Sequence, residues 1–138
     1  MRKKGNCFRN IFYARTCKEF PILTKISKLF ARQMSGLEID VAEHLGAGMR
    51  VFHGYSTIVY AQSIGDNFNV YQNVTIGRGK MIDGIDIPII GNNVTIYTGA
   101  IVVGGVHIGD NVKIGAGAVV VKDIPAGSTV VGSPIRVL

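Results

Sequence analysis

The sequence predicts an all-β fold, a parallel β-helix preceded by a short helical arm, and three observations carry that expectation. From residue 39 to residue 120 an aliphatic side chain recurs at nearly every sixth position: Ile39, Leu45, Val51, Ile58, Ile64, Val70, Ile76, Ile90, Ile96, Val102, Ile108, Ile114 and Val120. Neither the period of an amphipathic helix nor the alternation of a half-buried strand gives that spacing. A fixed corner follows several of them, as Ile64-Gly65-Asp66-Asn67, Ile90-Gly91-Asn92-Asn93, Ile108-Gly109-Asp110-Asn111 and Ile114-Gly115-Ala116-Gly117. Gly and Asn tolerate positive φ, so they suit a bend that recurs after each short strand. A second small or apolar residue stands four places after the aliphatic, as in Val74, Val94, Ala100, Val106, Val112 and Ala118. Both positions point into one narrow core. Three hexads close a triangular turn, and the turns stack at the parallel strand spacing of about 4.8 Å. Each inner turn then has two neighbours, the condition under which a linear repeat becomes stable.

Residues 1–36 form the arm. Ile22, Leu23, Ile26, Leu29 and Phe30 recur at helical spacing while Lys25, Lys28 and Arg32 fall elsewhere, which predicts a short amphipathic helix after Pro21. Its apolar stripe is expected to pack on the first turn of the solenoid and cover an open β edge. The alternative is a weak contact with a membrane surface. The net charge of +6 divides unevenly: residues 1–34 hold nine Lys or Arg against Glu19, for +8, and residues 35–138 hold six against eight acids, for −2. Basicity therefore belongs to the arm. No nucleic-acid motif accompanies it, so nucleic acid is not an expected partner.

No apolar stretch approaches the roughly 18 residues that a membrane-spanning helix needs. The start Met1-Arg2-Lys3-Lys4 opens like a secretory signal, but Arg9 and Asn10 interrupt the segment from Cys7 to Tyr13. The expected location is cytoplasmic, with any contact to the inner face of the membrane made by the basic arm. Cys7 and Cys17 lie in the arm away from any His cluster and read as ordinary reduced thiols.

Residues 37–138 form the β-helix, and the repeat breaks twice there. Breaks in a solenoid are where function is usually grafted. Between Val51 and Ile58 the step is seven, and the extra residue falls in Phe52-His53-Gly54-Tyr55-Ser56-Thr57. Between Ile76 and Ile90 the step is 14, so a flexible loop over residues 77–88 leaves the prism. Its glycines fit no dinucleotide fingerprint. His53, at the first break, is the candidate general base. His44 and His107 read as surface residues. A zinc site of the β-helical carbonic anhydrase kind needs converging imidazoles, and the closest pair, His44 and His53, is nine residues apart. No metal is expected.

The hexads, the projecting loop and the closing segment from Gly115 to Arg136 resemble the hexapeptide-repeat acyltransferases. The nearest branch is the serine O-acetyltransferases and their relatives that acetylate sugars in polysaccharide pathways. The likeness covers residues 37–138, about three quarters of the chain. It implies a left-handed β-helix, an exception to the usual right-handed crossover, assembled as a homotrimer with acetyl-CoA, a co-substrate, in the groove between prisms.

By that resemblance His53 matches the catalytic histidine, and Glu38, 15 residues earlier, matches its acidic partner. A carboxylate there would fix the imidazole tautomer and stabilise the imidazolium. Lys122 and Arg136 match positions beside coenzyme A phosphates, where charge-assisted hydrogen bonds form; Arg78 is the basic residue at the mouth of the loop. Gly77, Thr98 and Ala116 match places where backbone runs along the pantetheine arm, and small residues permit close approach. In the serine enzymes an Asp precedes the catalytic His and an Arg-His pair in the loop grips the amino acid; Phe52, Asp86 and Ile87 stand at those positions. Phe52 and Tyr55 would suit stacking against a sugar face, with Asp86 beside the acceptor. The leading expectation is an acetyl-CoA-dependent O-acetyltransferase acting on a saccharide or related small acceptor in a ternary complex. The alternatives are serine O-acetylation and a non-catalytic β-helical assembly subunit.

Overall fold

The computed structural model describes residues 5–30 and 35–132. Two helices come first, α1 (Gly5–Glu19) and α2 (Pro21–Phe30). Then follow β1 (Leu37–Leu45), β2 (Arg50–Val51), β3 (Thr57–Ile64), β4 (Asn69–Val70), β5 (Thr75–Gly77) and β6 (Ile89–Ile90). The chain continues through β7 (Thr95–Ile96), β8 (Ile101–Val103), β9 (His107–Ile108), β10 (Lys113–Ile114), β11 (Val119–Val120) and β12 (Thr129–Val130).

The pairings between these strands are parallel, and the strands form a left-handed parallel β-helix. The face β2-β4-β7-β10-β12 is continuous. The other two faces share long strands that turn a corner: Ile58 and Val59 of β3 pair with β5, whereas Ser63 and Ile64 pair with β6. The core is the predicted one. Ile64, Val70, Ile76, Ile90, Ile96, Val102, Ile108, Ile114 and Val120 are buried, and so are Val74, Val94, Ala100, Val106, Val112 and Ala118 four places on. Each such side chain contributes roughly 1.5–3 kcal/mol.

The corners follow from backbone chemistry. Asn67, Asn93 and Asn111 all adopt positive φ (56°, 55° and 59°). They stack in a ladder in which each amide nitrogen donates to the next side-chain oxygen, at 3.1 and 3.2 Å. Beside them the Asp66, Asn92 and Asp110 side chains accept backbone N–H groups from the turn below at 2.6–2.8 Å.

One member of the predicted register is wrong. Ile58 is 45% exposed and Val59, 1% exposed, occupies the core. Three residues at positive φ, His53, Gly54 and Ser56, consume extra length at the first break. The inward position therefore arrives eight residues after Val51 and only five before Ile64. A β-bulge in β1 between Val41 and His44 absorbs the resulting mismatch with β3.

The arm also departs from expectation. The element that covers the first turn is α1: Tyr13 is buried, Ile11 packs on the core, and Asn10 Nδ2 donates to the Leu37 carbonyl at 2.6 Å. Arg15 donates to the Gly46 carbonyl from the same helix. Ile22, Leu23 and Ile26 of the α2 stripe do not pack inward. Thr24 is the buried residue of α2, its hydroxyl donating to the Phe20 carbonyl at 2.8 Å, while Ile22, Leu23 and Ile26 are exposed. The α2 side chains from residue 27 on lie outside the described residues.

Candidate active site

Register fixes what surrounds His53. Arg50 and Val51 pair with Asn69 and Val70, these with Thr95 and Ile96, and these with Lys113 and Ile114. Continued past the strand ends, that register stacks Phe52, Tyr71, Tyr97 and Gly115 in one column. Asn73 N–H donates to the Tyr55 carbonyl, so the next column is Tyr55, Gln72, Thr98 and Ala116, and His53 and Gly54 are the residues inserted between the two. The aromatic column is a continuous stack: Phe52 and Tyr71 have ring centroids 4.6 Å apart at 15°, and Tyr71 and Tyr97 are 5.2 Å apart at 30°. The second column is bound by backbone, Gly99 N–H donating to the Gln72 carbonyl and Gly117 N–H to that of Thr98. His53 thus bulges from the turn between the two columns, at the corner that holds Thr98 and Ala116, two of the positions expected along the cofactor arm.

The bend that carries His53 is strained. Gly54 N–H donates to the Phe52 carbonyl at 2.9 Å, closing a three-residue turn around His53, whose φ is 68°. A γ-turn with positive φ is rare for a residue with a side chain, and such strain concentrates at functional positions. The structure holds it from both sides. The Thr57 hydroxyl is buried 3.1 Å from the Tyr55 carbonyl and 3.3 Å from that of Tyr71. Beneath, a β-carbon at Gly54 would stand 3.1 Å from Cys7 Sγ and 3.3 Å from Leu37 Cδ2. Burial in this contact pushes the Cys7 thiol pKa up.

Glu38 follows Leu37 in β1. Alternation along the strand sends Leu37 inward and Glu38 outward. Glu38 and His53 are both exposed, on segments that pack on each other through Leu37 and Gly54. Among the described residues no hydrogen bond or ion pair joins their side chains. No group of His, Cys, Asp and Glu able to hold a metal ion occurs among those residues.

The second break is a hairpin docked on the prism. Ile82 and Ile85 exchange both backbone hydrogen bonds across Asp83 and Gly84, whose φ values are 48° and 83°. That is the type I′ geometry favoured by Asp-Gly. Gly105 N–H donates to the Lys80 carbonyl and Gly104 N–H to that of Gly77, tying the hairpin to the prism. Arg78 and Asp86 meet in a salt bridge at 3.0 Å across its base, and Arg78 also lies 3.2 Å from the Tyr60 hydroxyl. The Tyr60 hydrogen bond first, and then the Asp86 charge, raise the Arg78 pKa further above its ordinary value.

The remaining candidates are scattered. Gly77 ends β5 beside open space, and Lys122 is exposed after β11. Tyr55 is exposed near His53, while Arg136 lies outside the described residues. Tyr71, Tyr97 and Gln72 escaped the sequence reading. The signal for the tyrosines was available, since each follows an inward aliphatic by one residue, as Phe52 follows Val51. Gln72 has a buried side-chain oxygen without a hydrogen-bond partner, which no sequence pattern reveals.

The family model for bacterial transferase hexapeptide (six repeats) matches residues 87–122. A serine acetyltransferase of Helicobacter pylori is 35% identical over 133 residues, covering 96% of this chain and 77% of that protein. The chain belongs to the serine acetyltransferase family. The Synechococcus elongatus serine acetyltransferase is 38% identical over 122 residues, 88% of this chain, which spans half the length of that relative. The crystal structure of the Neisseria gonorrhoeae serine acetyltransferase superposes with a TM-score of 0.67 at 30% identity, over 93% of this chain and 52% of that one.

At the three positions where the resemblance led to an expectation of acceptor contacts, each residue has another partner or is buried. Phe52 has one ring face against Tyr71, Asp86 pairs with Arg78, and Ile87 is buried.

Proposed function

We propose that this chain is an O-acetyltransferase that moves the acetyl group of acetyl-CoA to a hydroxyl, with L-serine the acceptor best supported by its relatives. The observation that carries the chemistry is His53, an exposed imidazole at the apex of a strained turn packed against the strand of Glu38. One imidazole nitrogen takes the proton of the acceptor hydroxyl as its oxygen attacks the thioester carbonyl. Collapse of the tetrahedral intermediate breaks the carbon–sulfur bond, and the imidazolium returns the proton to the departing thiolate. Glu38 would hold the other nitrogen and stabilise the positive charge. Hydrogen bonds of this kind often tighten only with substrate in place.

The names of the family relatives support serine, and the soybean and Neisseria gonorrhoeae members have been solved with serine bound. A saccharide hydroxyl is the second reading. It is favoured by Phe52, 36% exposed at the end of the stack with Tyr71 and Tyr97, and by the pairing of Arg78 with Asp86, which occupies two charges a zwitterion could have used. For the cofactor, the column of Thr98 and Ala116 at the corner from which His53 bulges supports a pantetheine arm there, with Lys122 and Arg136 toward the phosphates. A homotrimer in the cytoplasm is the proposed setting.

The test is release of coenzyme A thiol with L-serine and with a panel of free sugars, for the wild type and His53→Ala. Turnover of serine, with a loss of roughly 10²–10⁴ in the variant, supports the first reading. Turnover of a sugar without serine replaces it with the second. No turnover with either acceptor, together with no binding of coenzyme A, removes the enzyme reading altogether.

A further inference from the structure

We propose that the outward face of α2 docks on an anionic lipid bilayer. The helix is arranged against the ordinary rule for a packed amphipathic helix. Thr24, 4% exposed, faces α1, while Ile22 and Leu23 are 73% and 70% exposed. Ile26 and Phe20 extend the same exposed surface. An apolar hollow of about 300 Å³ lined by Phe12, Thr16, Phe20, Leu23 and Thr24 opens beside it. Burying such side chains in a second medium recovers free energy that the fold leaves unused.

Charge decides the occupant. Lys25 is exposed on α2, and residues 1–34 carry +8 with Glu19 their single acid. A second copy seated on the same face would bring two strongly cationic arms together. An anionic lipid surface neutralises them. Exposed aliphatic and aromatic side chains on a short helix, flanked by Lys and Arg, are the chemistry of interfacial binding. No helix among the described residues is long and apolar enough to cross a membrane, so the arm would lie on the surface.

The experiment is flotation of the full chain with vesicles of phosphatidylcholine alone and of phosphatidylcholine mixed with phosphatidylglycerol, at low and high salt. Binding is expected to the mixed vesicles only and to fall as salt rises. Leu23→Asp should weaken it by about tenfold or more, and Lys25→Glu by about fivefold. Circular dichroism establishes that each variant folds, and coenzyme A release should be unchanged in Lys25→Glu. Equal binding to neutral vesicles, wild-type binding by both variants, or no binding to mixed vesicles overturns the proposal. It also falls if Leu23→Asp splits an oligomer in light scattering while vesicle binding persists, since the face would then join copies of the chain.

Discussion

Gly54 rests on Leu37: a β-carbon at Gly54 would stand 3.3 Å from Leu37 Cδ2. That contact couples the bend presenting His53 to the strand presenting Glu38. Gly54 is also at φ 68°, where a side chain is disfavoured. Gly54→Ala is expected to cost about 1–3 kcal/mol and to lower kcat more than it raises KM, because the imidazole is displaced. Urea unfolding and steady-state coenzyme A release measure the two effects; wild-type values in both would show that the contact is slack.

His53→Gly should separate stability from activity. The substitution removes the base and relieves a positive-φ residue, so the folded state gains up to about 1 kcal/mol while turnover falls by roughly 10²–10⁴. The urea midpoint should rise. A lower midpoint would mean that the turn is held by the histidine side chain and not against it.

Asn93 stands mid-ladder, accepting from Asn67 at 3.1 Å and donating to Asn111 at 3.2 Å, at φ 55°. Asn93→Ala loses both bonds and keeps the strained backbone, an expected cost of about 2 kcal/mol. Asn93→Gly should cost less because the backbone strain disappears. Chemical denaturation of the two variants ranks them, and the reverse order would place the energy in the amide ladder alone.

At Gly105 a β-carbon would overlap the Ile85 carbonyl oxygen of the hairpin. Gly105→Ala is therefore expected to push the hairpin off the prism, costing about 1–3 kcal/mol and opening residues 78–88 to limited proteolysis. Arg78→Ala removes an exposed salt bridge and should leave the cleavage pattern unchanged. Equal cleavage in both variants would show that the ion pair, not the glycine contact, pins the hairpin.

The prism was legible because its rule is local. Each inward aliphatic and each Gly-Asn corner reports one side of a triangle, independent of distant residues. Ile58 misled for the same reason. It sits next to Val59, both are apolar, and the choice between them depends on the positive φ of His53, Gly54 and Ser56, which composition does not disclose. His53 is proposed from the first break and Glu38 from the family resemblance, 15 residues earlier, whereas the contact between their segments runs through Gly54 and Leu37. Asp86 was read as an acceptor contact, and its partner Arg78 became visible only once the hairpin closed.

By itself the sequence determined the repeating core, the corners, the two interruptions and the basicity of the arm, since these are written in residue types at fixed intervals. Only the tertiary structure decided which helix covers the first turn. The apolar spacing in α2 pointed to that helix, but α1 occupies the place through Asn10, Tyr13 and Arg15, polar and aromatic groups whose partners, such as the Leu37 and Gly46 carbonyls, lie 27 and 31 residues away. Long-range hydrogen bonds of this kind leave no periodic trace, and Ile22, Leu23 and Ile26 of α2 face solvent instead.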